Sequence, residues 1–213
     1  MLAAALELFS RQGYAPTTMA QIAAAAGVAV QTVHFTFHTK ADLLKEVMAG
    51  YAAGEDDPAP VMERPWMKEA LDTPDGLRQI ALIVDNGVEI YRRMAPLTPA
   101  VQTAASLDAD VATLWTSIAA TRRAGMRLAV EALAEKGWLR DGLDQQRATD
   151  LMAVLNSHET FLGLARAGWS VAEYKAWLYF TLADQLLKPA SSAARVSATK
   201  HLTYHPEVLN LVG

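Results

Sequence analysis

Residues 13–40 read GYAPTTMAQIAAAAGVAVQTVHFTFHTK, and between Arg11 and Lys40 the chain carries no Asp, Glu, Lys or Arg. The stretch is nevertheless dense in helix punctuation, so it reads as two short helices around a sharp turn. Pro16 ends whatever precedes it, and Thr17-Thr18 followed by Gln21 supplies the hydroxyl and the return amide of a capping box at a helix start. Ile22, Ala23 and Ala26 recur at helical spacing up to Gly27, whose tolerance of positive φ lets the chain reverse. On the second helix Val33 and Phe37 sit four apart and, with Val28 at the turn, supply an inward face. The outward face then holds Val30, Gln31, Thr32, His34, Phe35 and Thr36. Two of these, Val30 and Phe35, are apolar with no core to enter, which marks them as contacts for a partner surface.

A compact helix with this face fits the major groove of duplex DNA. Gln and Thr hydrogen-bond base edges there, and Val or Phe touches a thymine methyl. Helix N-termini attract anions through free N–H groups, so Thr17, Thr18 and the opening of the second helix are placed to hold phosphates. Lys40, just past the second helix, adds the one nearby cation. An acidic residue anywhere in between would repel the duplex, which makes its absence informative. A small-residue helical hairpin buried in a larger core is the competing explanation. A membrane span is excluded because Gly13, Pro16, the glutamines and the threonines interrupt any apolar run long enough to cross.

On the residues Ala5, Phe9, Gly13, Tyr14, Thr17, Thr18, Ile22, Ala23, Ala26-Gly27-Val28, Thr32-Val33, Phe37, Lys40, Leu43 and Leu44, the segment from Leu2 to about Tyr51 resembles the DNA-binding domain of TetR-family transcriptional regulators. The resemblance implies a three-helix helix-turn-helix domain at 1–51, then a helical ligand-binding and dimerisation domain at 52–190. It also implies a palindromic operator bound by a homodimer, with repression relieved by a small molecule. By similarity Thr17 and Thr18 contact phosphate, Val30, Gln31, Thr32 and Phe35 face bases, and Lys40 anchors the DNA backbone. Three features depart from the family pattern. His34 stands where Tyr is usual, and a histidine ordinarily titrates near neutrality, so DNA binding is expected to respond to pH. Ala29 stands where a capping Ser is common, at a cost of about 1 kcal/mol of local helix stability. The basic lead-in before the first helix is missing, which leaves room for a natural start upstream of Met1. Residues 1–50 balance Arg11, Lys40 and Lys45 against Glu7, Asp42 and Glu46, so weak salt-dependent affinity is expected.

The 213 residues allow one or two domains, and the net charge of −4 says little about DNA because the local field decides. With no cysteine, disulfides and cysteine metal sites are excluded, and a cytoplasmic setting is expected. No secretory signal is legible. Residues 54–75, with their acidic cluster and four prolines, read as a mobile connector. The fold class is all-α, with long helices expected near Gly76–Met94, Ser106–Lys136, Asp144–Ala167 and Val171–Lys188, and 191–213 left unassigned. The last helix is apolar almost all round, so one face is expected to pack on its own domain. The other meets a second copy, together with the 144–167 helix.

Polar residues that interrupt apolar stripes point to a ligand. Arg122 lies amid Val111, Trp115, Ile118, Met126, Ala129 and Leu133, and His158 amid Leu151, Leu155, Leu162 and Ala165. One reading makes Arg122 and His158 orienting groups in a pocket walled by Tyr91, Trp115, Met126 and Phe161, for an inducer that is mainly apolar with an acidic or hydrogen-bonding end. The other pairs Arg122 with Glu159 or another acid, or lets it reach solvent, and makes His158 a satisfied core residue. No cofactor, catalytic residue or metal site is expected. His34/His38 and His201/His205 have ligand spacing without a third ligand, and there is no phosphate-binding glycine loop or nucleophile elbow. A helical adaptor without DNA binding is the alternative function; it accounts for the last helix and not for the outward face of 30–36.

Overall fold

The computed structural model describes residues 1–53, 59–189 and 202. The described residues form eleven α-helices and a 3-10 turn at Val61–Glu63, with no strand beyond an isolated antiparallel bridge between Leu139 and Leu187. They fall into two compact units, one drawn from Met1–Pro58 and Arg93–Ala120, the other from Ala59–Arg92 and Thr121–Gly213. The segment read as a DNA-binding domain therefore lies inside a unit that also takes in 93–120.

In the first unit α1 (Leu2–Gln12) packs on α2 (Met19–Ala26) and α4 (Lys40–Ala53), and α3 (Val30–Phe37) packs on α2 and α4. Ala5, Phe9, Tyr14, Ile22, Val33, Leu43 and Leu44 fill the core between them, with the Phe9 and Tyr14 rings 5.5 Å apart. Gly13 ends α1 at φ 87°, so the first helix stops before Pro16 rather than at it. The capping box of α2 is present as read: Gln21 N–H donates to the Thr18 hydroxyl at 3.2 Å, and Thr18 N–H donates to Gln21 Oε1 at 2.9 Å. Gly27 takes the left-handed conformation, φ 67° and ψ 31°, that closes α2 and turns the chain into α3. Val28, expected to face inward at this turn, is exposed. Ala29 caps α3 with no side-chain hydrogen bond. At α4 the Thr39 hydroxyl accepts from Asp42 N–H at 3.0 Å while the Asp42 carboxylate accepts from Thr39, so Asp42 serves the helix start.

The expected 106–136 helix is one unbroken helix, α8 (Ala109–Glu135), preceded by a short helix, α7 (Thr98–Ala105), that the sequence reading does not place. Asp108 separates the two, because its Oδ1 accepts from the N–H groups of Asp110 and Val111 and starts α8.

In the second unit, part of the expected connector is ordered helix, α5 (Pro65–Asp72), with Met67 and Ala70 buried; residues 54–58 lie outside the described residues. Helix α6 (Gly76–Met94) buries Leu77, Ile80, Ala81, Val84, Val88 and Tyr91, the stripe that the sequence spacing marks. Gly76 is required at the start of α6, since a Cβ there would lie 2.6 Å from Trp138 Cγ. The expected 144–167 helix is two helices, α9 (Gln145–Leu155) and α10 (His158–Arg166). Asn156 leaves the helix at φ −90°, ψ 64°, and the Ser157 hydroxyl caps α10 by accepting from Thr160 N–H at 3.1 Å. Helix α11 (Val171–Leu186) packs on α9 and α10 and opens with a Ser170–Glu173 capping box.

Candidate functional site

Helix α3 is eight residues long and is held by two inward anchors, Val33 and Phe37, both buried. Its other side is free of charge and open. Gln31, Thr32, His34, Phe35 and Thr36 are exposed and Val30 is half-buried. Phe35 is 86% exposed, an extreme value for a phenylalanine. Not all the polar groups on this face point outward. The Thr36 hydroxyl donates to Thr32 O at 2.9 Å, and His34 Nδ1 lies 3.5 Å from His38 O. Gln31, the Thr32 hydroxyl and Nε2 of His34 remain as groups that present donors and acceptors to an outside molecule.

Two residues read as phosphate contacts have different work. Thr17 is 0% exposed; its hydroxyl donates to Gly13 O at 2.7 Å and accepts from Gln12 Nε2 at 3.0 Å. Its side chain locks the α1–α2 turn and is shielded from any phosphate, which corrects the expectation from sequence. The Lys40 ammonium turns inward as well. It donates to the carbonyls of Tyr14 and Thr17 at 2.9 Å and of Ala15 at 3.4 Å, and lies 4.1 Å from the Tyr14 ring centroid. Burial holds its pKa below the ordinary lysine range, partly opposed by the Asp108 carboxylate. Lys40 is thus a clamp on residues 14–17 and, in this conformation, offers no free ammonium to a DNA backbone. Thr18 stays exposed at the α2 N-terminus.

Asp108 joins this clamp to α8. Its Oδ2 accepts from Tyr14 Oη at 2.9 Å while Oδ1 caps the helix. Burial, then the hydrogen bond to Asp108, pushes the Tyr14 phenol well above its ordinary range. Asp108 itself is held below the usual carboxylate range: desolvation opposes ionisation, and the bonds from Tyr14, Val111 and Asp110 outweigh it. Sequence reasoning missed Asp108, although an Asp after Ser106-Leu107 is a recognisable cap.

In the second unit the ligand candidates Tyr91, Arg122, Met126, His158 and Phe161 do converge, and the α9–α10 break is where they meet. Arg122 Nη1 donates to Ala153 O at 2.9 Å and to Asn156 O at 2.7 Å, so a cation caps the C-terminus of α9. Tyr91 Oη donates to the same Asn156 O at 2.7 Å, and Tyr174 Oη to Leu155 O at 3.2 Å. Neither an acidic partner nor escape to solvent describes Arg122; its partners are backbone carbonyls. The His158 ring meets Tyr91 edge-on at 5.0 Å and Phe161 at 6.5 Å, and Phe161 meets Tyr174 at 5.2 Å. Burial pushes the His158 pKa down to about 4; the Arg122 charge adds to this and Glu159 opposes it, so the imidazole is neutral at physiological pH. Asn156 is fully buried, and its Oδ1 has no hydrogen-bond partner among the described residues, while Nδ2 lies 4.0 Å from Met126 Sδ. Trp115 belongs to the first unit, and Ile118, read as part of the same inward stripe, is exposed.

Helix α11 holds a residue that the apolar reading overlooked. Lys175 is 1% exposed, with its ammonium 2.7 Å from Asp85 Oδ1 and 2.6 Å from Glu89 Oε1 on α6. Glu89 also accepts from Arg92 at 2.8 Å. Desolvation works against its ionisation, but the bonds from Lys175 and Arg92 hold it below the usual carboxylate range. The outer side of α11 keeps Trp177 and Phe180 half-exposed, and Val154 on α9 is 66% exposed. Among the described residues no group of three His, Cys, Asp or Glu could hold a metal ion, and no helix is long and apolar enough to cross a membrane. His201 and His205 lie outside the described residues.

The family model described as bacterial regulatory proteins, tetR family, matches residues 1–47. Residues 1–47 are therefore similar to the regulatory domain of that family. Solved structures similar to the chain as a whole include a TetR-family transcriptional regulator from Mesorhizobium loti (18% identical, covering 88% of this chain and 95% of that one, TM-score 0.68). The transcriptional regulator FadR from Bacillus subtilis in complex with stearoyl-CoA is also similar (16% identical, 86% and 96% covered, TM-score 0.69). So is a protein from Saccharomonospora viridis, described as a transcriptional regulator in complex with choline (18% identical, 88% and 96% covered, TM-score 0.68). At these identities the likeness shows the fold alone. No curated protein matches the chain.

Proposed function

We propose that the protein is a non-enzymatic, ligand-responsive transcriptional repressor of the cytoplasm that binds a palindromic operator as a homodimer and is released by a small molecule. The observation that carries this is the face of α3: charge-free, exposed at Gln31, Thr32 and Phe35, and anchored from behind by Val33 and Phe37. Base contact falls to Val30, Gln31, Thr32 and Phe35, with His34 and Thr36 beside them. Thr18 and the α2 N-terminus approach phosphate, where free N–H groups favour an anion. Lys40 acts by fixing the turn that sets α2 against α3.

The small molecule is assigned to the aromatic core around Tyr91, Met126, His158 and Phe161. The choline and stearoyl-CoA complexes show that two proteins of this fold hold organic ligands. A neutral imidazole and the unpartnered acceptor on Asn156 favour an apolar molecule bearing a hydrogen-bond donor. Arg122 and Tyr91 both grip the Asn156 carbonyl, so a ligand that competes for either releases the hold of α8 on the α9–α10 break. Dimerisation is assigned to α9, α10 and α11 through Val154, Trp177 and Phe180.

Footprinting of the full-length protein on the DNA upstream of its own coding region tests the assignment. The expected result is a protected palindrome whose half-site centres lie about 34–36 Å apart, one helical turn. Absence of any protected sequence there and in genomic fragments would overturn it.

A further inference from the structure

The chemistry of α3 goes further and, resting on the DNA-binding reading, names what the helix reads. We propose that the operator half-site is A·T at the positions beneath Gln31 and Phe35, and that a thymine methyl against the Phe35 ring is the main determinant of specificity. Guanine shows two acceptors in the major groove and is best met by the paired donors of Arg or Lys; cytosine shows an amino donor that calls for Asp or Glu. Helix α3 has none of the four, and neither has any position between Arg11 and Lys40. The nearest cation in sequence, Lys40, is spent on three carbonyls. What the face does offer matches the other base pair. The Gln31 side-chain amide carries one donor and one acceptor, the complement of adenine N7 and N6. Phe35, at 86% exposure, presents an apolar ring on the side of α3 opposite the buried Val33 and Phe37. In the major groove the apolar group that distinguishes one base pair from another is the thymine C5-methyl. The Thr36 hydroxyl is turned onto Thr32 O and adds no competing donor.

The test is selection of full-length protein on randomised duplex DNA, followed by replacement of each thymine in the recovered half-site by uracil, which removes only the methyl. The expected half-site carries A·T pairs under Gln31 and Phe35. One uracil replacement is expected to weaken wild-type binding roughly fivefold or more, on the scale of a single good base contact. The same replacement is expected to leave Phe35→Ala unaffected, because the partner of the methyl is already gone. Phe35 is exposed, so the variant keeps its fold, and circular dichroism verifies this. A recovered half-site with G·C at those positions, or a uracil effect equal in wild type and Phe35→Ala, overturns the inference while leaving DNA binding intact. Failure to enrich any sequence overturns the regulator reading itself.

Discussion

Replacing Lys175 by Met leaves two carboxylates facing an apolar side chain in the middle of the second unit. The ammonium is 1% exposed and sits 2.7 Å from Asp85 and 2.6 Å from Glu89. At an effective dielectric of about 20, each pair has a gross attraction of about 6 kcal/mol, set against desolvation of several kcal/mol per ion. Removing one member of such a cluster costs about 3–5 kcal/mol, because the remaining charge stays buried. Arg92, at 2.8 Å, still compensates Glu89, so the lower end, about 3 kcal/mol, is expected. For a chain of this size that lowers Tm by roughly 6–12 °C in a thermal melt at pH 7. The double variant Asp85→Asn/Lys175→Met removes the stranded charge and is expected to regain at least half of the loss. Acid supplies a further check. The folded pKa of Glu89 lies below its ordinary value, so its contribution is present above about pH 4.5 and is lost as pH falls through the lower folded value. Without Lys175 that loss starts at higher pH. A Lys175→Met melt within about 2 °C of wild type, or a double variant no better than the single, would refute the argument that the cluster supports the packing of α6 on α11.

His158 gives a second titration. Its folded pKa of about 4 lies below the free value of 6.5, so between these the unfolded chain binds the extra proton and stability falls as pH drops; His158→Gln is expected to flatten that window in pH-dependent urea melts. Thr32→Ala should weaken discrimination between operator and unrelated DNA with stability unchanged within about 0.5 kcal/mol, since the side chain is exposed. Lys40→Ala should instead lower the melting point and weaken binding to all sequences alike, as the 14–17 turn loses its clamp; gel shifts on operator and mutated operator separate the two. Within residues 1–53 only Arg11 and Lys45 remain as exposed cations, so a dimer neutralises at most about four phosphates from this region, and the plot of log K against log salt is expected to be no steeper than about −3.6.

The helix-turn-helix was legible because its determinants are local. Thr18, Gln21 and Gly27 act on groups within four residues of themselves, and the 3.6-residue period separates Val33 and Phe37 from Gln31 and Phe35 without knowledge of the rest of the fold. Most of the errors lie where a residue is decided by partners far along the chain. Short polar and basic residues near a helix start usually face outward; Thr17 turns in because the local 13–17 turn offers it the Gly13 carbonyl, and Lys40 because it reaches back to the same turn from 23 to 26 residues away. The break at Asn156 was hidden by the apolar stripe running from Leu151 to Leu162 through both helices. Its stabilisers, Tyr91 and Arg122, are 65 and 34 residues distant. Lys175 looked like a solitary charge in an apolar run, since its carboxylates lie 86 and 90 residues earlier.

On the proposed reading, the lack of charge on the exposed face of α3 also bears on what a second copy would contribute. Most DNA-binding domains draw the larger part of their affinity from phosphate neutralisation, which is indifferent to sequence. Here that component is small, because the lobe is formally neutral over residues 1–50 and Lys40 is engaged internally. A single α3 with one bidentate amide contact and one or two methyl contacts gains a few kcal/mol over mismatched DNA, too little to hold an operator alone. Coupling two such heads through one rigid interface turns the second contact into an intramolecular event and multiplies the discrimination without adding nonspecific attraction. In the proposed mechanism the same arrangement would make release by a small molecule efficient. When each head binds weakly, a modest change in the spacing of the pair is enough to lose the second head, and with it almost all of the affinity.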